Sequence, residues 1–199
     1  LLAEEVKCKV DSLYCVHRLD RAVGGVMVWA RTPKAAAELS RQVQEKALKK
    51  AYFAVCSGIP TPDTGEMRDL LFKDSVKQKS FAVSSFRRGV KEALLDYRVL
   101  QTAALNGSPA ALVRVTLHTG RFHQIRCQFA TRGHPLLGDG KYGRGDRNRA
   151  CGETGQLLYS FELTFAFESD AGALQYLDGK TFRVKDIAFV KKYFPNYRF

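Results

Sequence analysis

The sequence His17-Arg18-Leu19-Asp20-Arg21 places four ionisable side chains around a single leucine. An apolar run, Val23–Ala30, follows at once, and the continuous hydrophobicity of Val26–Ala30 predicts a strand covered on both faces. Aspartate is normally a surface residue, and a buried aspartate needs partners. We therefore interpret Asp20, which lies between two arginines, as a candidate reactive group. From residue types alone, an ion-pair network that only fixes a loop is an equally good interpretation.

The composition favours a globular domain with a polyanionic partner. The chain has 199 residues, of which 45% are hydrophobic, so it can form a single domain with a real core. Lysine and arginine total 32 against 20 acidic residues, and the net charge of +12 has the sign that nucleic-acid binding requires. The alternative is a basic protein without such a partner.

Cysteine and histidine spacing argues against metal sites and disulfides. The five cysteines are scattered, no Cys-x-x-Cys pair occurs, and the four histidines form no known ligand set. We therefore expect no metal and a reducing, cytoplasmic compartment. No apolar run approaches the roughly 18 residues of a membrane span, so we expect no membrane association.

Hydrophobic periodicity predicts an α+β domain around a mixed, mainly antiparallel sheet. Thr32-Pro33 predicts a helix start, and apolar spacing extends that helix to residue 46. Asn106-Gly107 predicts a hairpin turn between two alternating segments. Other strands are predicted at 49–57 and 157–167 and around Phe182 and Val184, with charged, strand-like pieces in 66–91. A further helix should carry Phe122, Ile125 and Phe129 on one face and end at Gly133.

Gly138-Asp-Gly140-Lys-Tyr-Gly143 matches the letters of a dinucleotide-binding loop. It follows no convincing strand, and the basic residues after it have no apolar helical face, so the context of that motif is missing. We expect no nucleotide cofactor. Glycines and arginines here, including Arg144 and Arg147, are better suited to approach phosphates.

Three ordered motifs give a more specific indication. His17–Arg21 with Gly24-Gly25 resembles the signature of RluA-type pseudouridine synthases. Lys50-Ala-Tyr52-Phe-Ala-Val55 with Gly58 is similar to the second motif of that family. The segment from Leu117 to Arg126, with Gly133-His-Pro135, Gly138-Asp139 and Tyr142-Gly143, is similar to its third motif.

The resemblance implies an isomerase that converts uridine in rRNA or tRNA to pseudouridine, with the pseudouridine synthase fold, flanking helices and a central cleft. Asp20 matches the catalytic aspartate, Tyr52 the tyrosine that stacks on the base, and Arg126 the arginine that pairs with the aspartate. No metal or organic cofactor is expected, and we expect a monomer. Residues expected to contact RNA are Arg18, Arg21, Arg121, His123, Gln124, Lys141, Arg144 and Arg147.

The sequence also departs from the family pattern. Val23-Gly24-Gly25 stands where the family commonly has Thr-Ser-Gly, and Gln128 stands where a histidine is frequent. We expect both changes to alter loop shape or RNA choice. The opening strand pair of the family and an S4-type RNA-binding domain are not recognisable before His17. The alternative function is a non-catalytic RNA-binding protein on the same scaffold.

Overall fold

The computed structural model describes residues 12–143 and 152–199. Its main sheet has the strand order β10-β9-β4-β8-β7-β5-β6, in which every neighbouring pair is antiparallel. The short strand β2 adds to β9 in parallel, and β1 and β3 form a separate two-stranded sheet. The predicted α+β class with a mixed, mainly antiparallel sheet is therefore confirmed. The strands are β1 (Tyr14–Cys15), β2 (Gly24–Gly25), β3 (Trp29–Ala30), β4 (Leu48–Ser57), β5 (Thr64–Asp74), β6 (Lys79–Val83), β7 (Val90–Leu105), β8 (Ser108–Leu117), β9 (Leu158–Phe165) and β10 (Thr181–Arg183).

Helices cover both faces of this sheet. They are α1 (Pro33–Gln44), α2 (Gln124–Thr131) and α3 (Ala188–Tyr193), with a 3-10 turn at Gly172–Leu177. The Thr32 hydroxyl caps α1 by accepting from the Ala35 amide, and a proline follows at the first helical position, as predicted. None of the described helices is long and apolar enough to cross a bilayer.

The central strand β4 divides the core. Tyr52, Ala54 and Cys56 point to the face covered by α2, whereas Phe53 and Val55 point to the face covered by α3. Alternation along the strand predicted at 49–57 produces this division. The functional residues considered below lie on the α2 side.

Three sequence predictions need correction. The run Val26–Ala30 is a strand only at Trp29–Ala30, and Trp29 is exposed rather than covered. Phe122 precedes α2 instead of lying on its face. The strand-like pieces predicted in 66–91, which include Phe81-Ala-Val, are parts of a longer hairpin than expected, because β5 begins at Thr64 and pairs with β6. The Asn106-Gly107 hairpin is confirmed, and both residues have the positive φ that a type I′ turn requires.

Candidate active site

Asp20 lies in a tight turn after β1. Its carbonyl oxygen accepts a hydrogen bond from the Val23 amide at 3.0 Å, and Ala22 inside the turn has a φ of 69°. Gly25 then pairs with Ser160 of β9 at a φ of 130°. A Cβ at Gly25 would lie 2.1 Å from the Ser160 carbonyl oxygen, so only glycine permits this approach. The loop that carries Asp20 is thereby fixed to the main sheet.

Arg126 joins two carboxylates below this loop. Its Nε and Nη2 donate to both oxygens of Asp139 at 2.7 and 2.8 Å, and its Nη1 donates to Oδ2 of Asp20 at 3.2 Å. The Asp139 side chain is fully buried and that of Arg126 is 6% exposed, whereas that of Asp20 is 22% exposed. Arg126 therefore connects a buried anchor to a carboxylate that solvent or substrate can reach.

The charges in this group stabilise one another. Burial raises the pKa of Asp139, but hydrogen bonds and charge from Arg126 outweigh that effect, and the net shift is downward. Burial lowers the pKa of Arg126, yet Asp139 and Asp20 together raise it above its ordinary value. The guanidinium stays charged and offsets the cost of desolvating both carboxylates.

Tyr52 lies near enough to Asp20 for the aspartate charge to act on its phenol. It is 7% exposed, and β4 pairs it with Ser160 at a register shift after Ala51. Burial raises the pKa of Tyr52 to about 12, a side-chain hydrogen bond with Ser160 opposes this shift, and the Asp20 charge adds to it. Irregular pairing is frequent next to active sites because it re-aims a side chain. The Tyr52 phenol remains protonated near the Asp20 carboxylate.

His123 and Tyr142 also lie close to Asp20 and Arg126. Nε2 of His123 is 3.8 Å from Oδ2 of Asp20, and Nδ1 is 3.2 Å from the Tyr142 hydroxyl. His123 has a φ of 53°, which is strained for a residue with a Cβ, and its ring stacks on Phe122 at 3.8 Å. The sequence predicts His123 as an RNA contact; the structure places it largely buried beside Asp20.

Other residues predicted to contact RNA have different surroundings. Arg18 and Arg21 flank Asp20 and are exposed. Arg121 Nε donates to the Glu92 carbonyl, and Lys141 Nζ donates to the Gln78 carbonyl. Both cationic side chains are therefore hydrogen-bonded to backbone carbonyls. Arg144 and Arg147 lie outside the described residues.

Gln124 requires a correction. It is 3% exposed, its oxygen accepts from Thr119 and the Arg121 amide, and its nitrogen donates to the Leu94 carbonyl. These bonds hold the turn before α2 instead of leaving the amide available to RNA. Gln128 is likewise buried, and its nitrogen donates to the Met67 carbonyl and to Asp69. Gln128 therefore links α2 to β5 and lies in no loop.

Sequence reasoning gave no role to Asp139 or Tyr142. Both occur in the glycine-containing segment of the third motif. The signals that the sequence offers there are an acidic residue and an aromatic residue among glycines. Only the fold brings that segment under Arg126, and the Arg126 guanidinium lies 5.2 Å from the Tyr142 ring centroid. Within residues 12–143 and 152–199, no group of three or more potential ligands could hold a metal ion.

Comparisons with known proteins identify the class. A family model described as RNA pseudouridylate synthase matches residues 4–131. The chain therefore belongs to the RNA pseudouridylate synthase family, which confirms the RluA-type resemblance of its motifs.

Two relatives illustrate the similarity. An uncharacterized RNA pseudouridine synthase of Aquifex aeolicus (strain VF5) is 41% identical over 128 residues, which cover 64% of this chain and 39% of that protein. Ribosomal large subunit pseudouridine synthase D of Neisseria meningitidis serogroup B is 34% identical over 160 residues, which cover 75% of this chain and 40% of the relative. The chain thus spans about 40% of the length of these relatives.

Solved structures support the fold. Human RNA pseudouridylate synthase domain containing 1 matches with a TM-score of 0.72 at 24% identity, over 85% of this chain and 70% of the human chain. Human RNA pseudouridylate synthase domain containing 4 matches with a TM-score of 0.71 at 23% identity, over 94% and 77%. The predicted pseudouridine synthase fold is confirmed.

Proposed function

We propose that this chain isomerises specific uridines in structured RNA, rRNA or tRNA, to pseudouridine. The observation that carries the proposal is the Asp20 carboxylate held by Arg126 at 3.2 Å, with its side chain 22% exposed, close to Tyr52. The names of several relatives refer to the ribosomal large subunit, which makes large-subunit rRNA the first substrate to test.

The reaction breaks the bond between ribose C1′ and uracil N1, turns the base, joins C1′ to C5 and releases the C5 proton. Asp20 is the group that we assign as nucleophile. Within the described residues, Arg126 hydrogen-bonds Oδ2 and no hydrogen bond reaches Oδ1. The arginine therefore orients the carboxylate and leaves one oxygen for the nucleotide.

A uridine must leave the base stack to reach Asp20, which costs a few kcal/mol. Stacking on the Tyr52 ring returns about 1–3 kcal/mol, which is comparable to that cost. Arg18 is exposed next to Asp20, and its planar guanidinium is suited to fill the space that the base leaves.

Cations beyond the pocket supply the affinity for the RNA backbone. Arg21 is exposed beside Asp20, and the group Arg87, Arg88 and Lys91 is exposed on the β6–β7 connection and at the start of β7. Together with the net charge of +12, they favour binding to phosphates that weakens as salt increases. We propose a monomer that acts without metal or organic cofactor.

Tritium release tests this function directly. Transcripts of large-subunit rRNA and tRNA with tritium at uracil C5 should release label when incubated with the chain, because C5 loses its proton. Asp20→Asn should bind the same RNA without release. Binding without release by the unaltered chain would instead support the non-catalytic RNA-binding protein, and equal release by both forms would refute Asp20 as the nucleophile.

A further inference from the structure

A second nitrogen-bearing side chain, that of His123, lies near the Asp20 carboxylate beside Arg126. His123 Nε2 and Arg126 Nη1 lie 3.8 and 3.2 Å from the same carboxylate oxygen, Oδ2. His123 is 8% exposed. Burial lowers the pKa of His123 to about 4, with the Asp20 charge opposing and the Arg126 charge reinforcing the shift, so the imidazole is neutral at pH 7. A neutral imidazole has one N–H and one lone pair, and the tautomer decides which of them faces Asp20.

The hydrogen bonds of Tyr142 bear on that tautomer. Its hydroxyl oxygen accepts from the Ser80 amide at 2.6 Å. The one hydroxyl proton has two acceptors within reach, the Ser80 carbonyl and His123 Nδ1, both at 3.2 Å. The Ser80 carbonyl already accepts from the Cys127 thiol at 3.4 Å. If the Tyr142 hydroxyl donates to His123 Nδ1, then both acceptors, the Ser80 carbonyl and His123 Nδ1, have a donor.

The opposite arrangement has an electrostatic cost. If the Tyr142 proton pointed to Ser80, His123 would either leave its Nδ1 lone pair facing the tyrosine oxygen, or carry its proton on Nδ1 and turn the Nε2 lone pair towards an anionic oxygen 3.8 Å away. In a pocket with little water, a lone pair facing a carboxylate is unfavourable, whereas an N–H facing it is favourable.

We propose that Tyr142 is a positioning residue that donates its hydroxyl proton to His123 Nδ1 and thereby holds the His123 Nε2–H towards Oδ2 of Asp20. The inference rests on the proposed function for its catalytic consequence, although the tautomer itself does not. His123 adds a donor to the carboxylate without adding a second positive charge. The present Nε2–Oδ2 distance of 3.8 Å is longer than a hydrogen bond, and the proposal requires it to shorten when a nucleotide binds, as catalytic contacts often do.

Two structural features support a positioning role. Tyr142 is held independently of His123, because its amide donates to Asp139 Oδ1 at 3.1 Å and its ring lies against Arg126. The Ser80 hydroxyl donates to the Phe122 carbonyl at 2.5 Å and so fixes the backbone just before His123. Ser80, Tyr142 and His123 thus form one connected chain of hydrogen bonds, and its last member, His123, lies 3.8 Å from the Asp20 carboxylate.

The first experiment is spectroscopic and needs no activity. Two-bond proton–nitrogen correlation spectra of the imidazoles, with His123 assigned by its loss in His123→Gln, should show Nε2 protonated and Nδ1 as a hydrogen-bonded acceptor near pH 7. Tyr142→Phe should move the Nδ1 resonance to the position of an acceptor without a partner. A proton on Nδ1 in the unaltered chain, or an Nδ1 resonance unchanged by Tyr142→Phe, would overturn the proposal.

The second experiment separates positioning from folding. Tyr142→Phe should slow single-turnover pseudouridine formation about tenfold, as expected for one mispositioned donor, with RNA affinity unchanged. His123→Gln, whose amide N–H can replace Nε2–H, should retain more activity than His123→Leu, whose side chain is of similar size but has no hydrogen-bond donor. Tyr97→Phe, which removes a hydroxyl that donates to the Pro62 carbonyl among the described residues, is the matched control with full activity.

The outcomes of the two experiments are distinguishable. Should the unaltered chain form no pseudouridine, the proposed function fails while the spectra still decide the tautomer. Equal single-turnover rates for His123→Gln and His123→Leu in an active enzyme would refute the donor role, whatever the spectra show. A Tyr142→Phe variant with full single-turnover rate would do the same.

Discussion

Arg126 hydrogen-bonds Asp139 with two nitrogens and Asp20 with the third, so a fully buried carboxylate fixes the guanidinium that orients the reactive one. Asp139 comes from the segment after α2, Arg126 from α2 itself and Asp20 from the loop after β1. The geometry of the site therefore depends on an aspartate that need not touch the nucleotide.

Asp139→Asn should both destabilise the fold and slow the reaction. Breaking a buried ion pair costs about 3–5 kcal/mol, and here the Arg126 charge would keep only the partly exposed Asp20 as its ion-pair partner. Urea unfolding measures this loss, and single-turnover pseudouridine formation should fall because Arg126 is no longer held against Asp20. The control is Glu92→Gln, which breaks an exposed ion pair between Glu92 and Arg68 and should cost less than about 1 kcal/mol. Similar losses for both variants would contradict the anchoring role of Asp139.

Tyr52 substitutions should separate stacking from hydrogen bonding. Tyr52→Phe keeps the ring, so RNA affinity should change little, although loss of the Ser160 hydrogen bond should cost about 1 kcal/mol of stability. Tyr52→Leu fills most of the volume without a ring and should weaken RNA binding by about 1–3 kcal/mol. Filter binding measures the affinities, at a temperature where unfolding curves show each variant folded. Strong weakening by Phe would contradict stacking.

Buried histidines should make stability depend on pH. Burial, with a contribution from Lys50, lowers the pKa of His17 to about 4, against about 6.5 in the unfolded chain. Between these values the unfolded state binds more protons, so the free energy of unfolding should rise from pH 4 to 6.5 and level off above it. The pKa of His123, also lowered to about 4, adds to the same trend.

His17→Gln tests the share of His17 in that slope. Its side-chain oxygen can replace Nε2 as acceptor for the Val28 amide, and glutamine does not titrate. Urea unfolding at several pH values should therefore give a shallower rise between pH 4 and 6.5, lower by at most about 1.4 kcal/mol per pH unit. Identical slopes for both proteins would show that His17 is not held neutral by the fold.

Sequence periodicity predicted the antiparallel core because alternate side chains of its strands are consistently buried on one face of the sheet. Ala93 and Leu95 are completely buried on one face of β7, and the hairpin turn fixes the register of its neighbour. Periodicity failed at Val26–Ala30, where the Val26 amide bonds to the Ser160 carbonyl and the Val28 amide to His17. Hydrophobicity in that run reflects packing against α1, not a continuous ladder.

The site was predictable as far as the motifs reach. They pointed to Asp20, Tyr52 and Arg126, and the structure brings Asp20 into contact with Arg126 and near Tyr52. Sequence spacing could not show that the Gln124 side chain is buried and makes internal hydrogen bonds instead of lying at the surface. Nor could it show that Asp139 anchors Arg126, because that contact depends on the path of the chain after α2.

Gly24 and Tyr159 give a last test, at one position where the sequence departs from its family. A Cβ at Gly24 would lie 2.7 Å from Cε2 of Tyr159, so Gly24→Ser, which restores the common residue, must displace the ring. We expect a loss of about 1–3 kcal/mol from overpacking, and a smaller loss on the Tyr159→Leu background. Urea unfolding of the double-mutant cycle should give a coupling of at least about 0.5 kcal/mol. Gly120→Ser, where no atom lies within 4 Å of the added Cβ, should change stability little. Strict additivity at Gly24 and Tyr159 would show that the loop carrying Asp20 adapts to serine without the tyrosine.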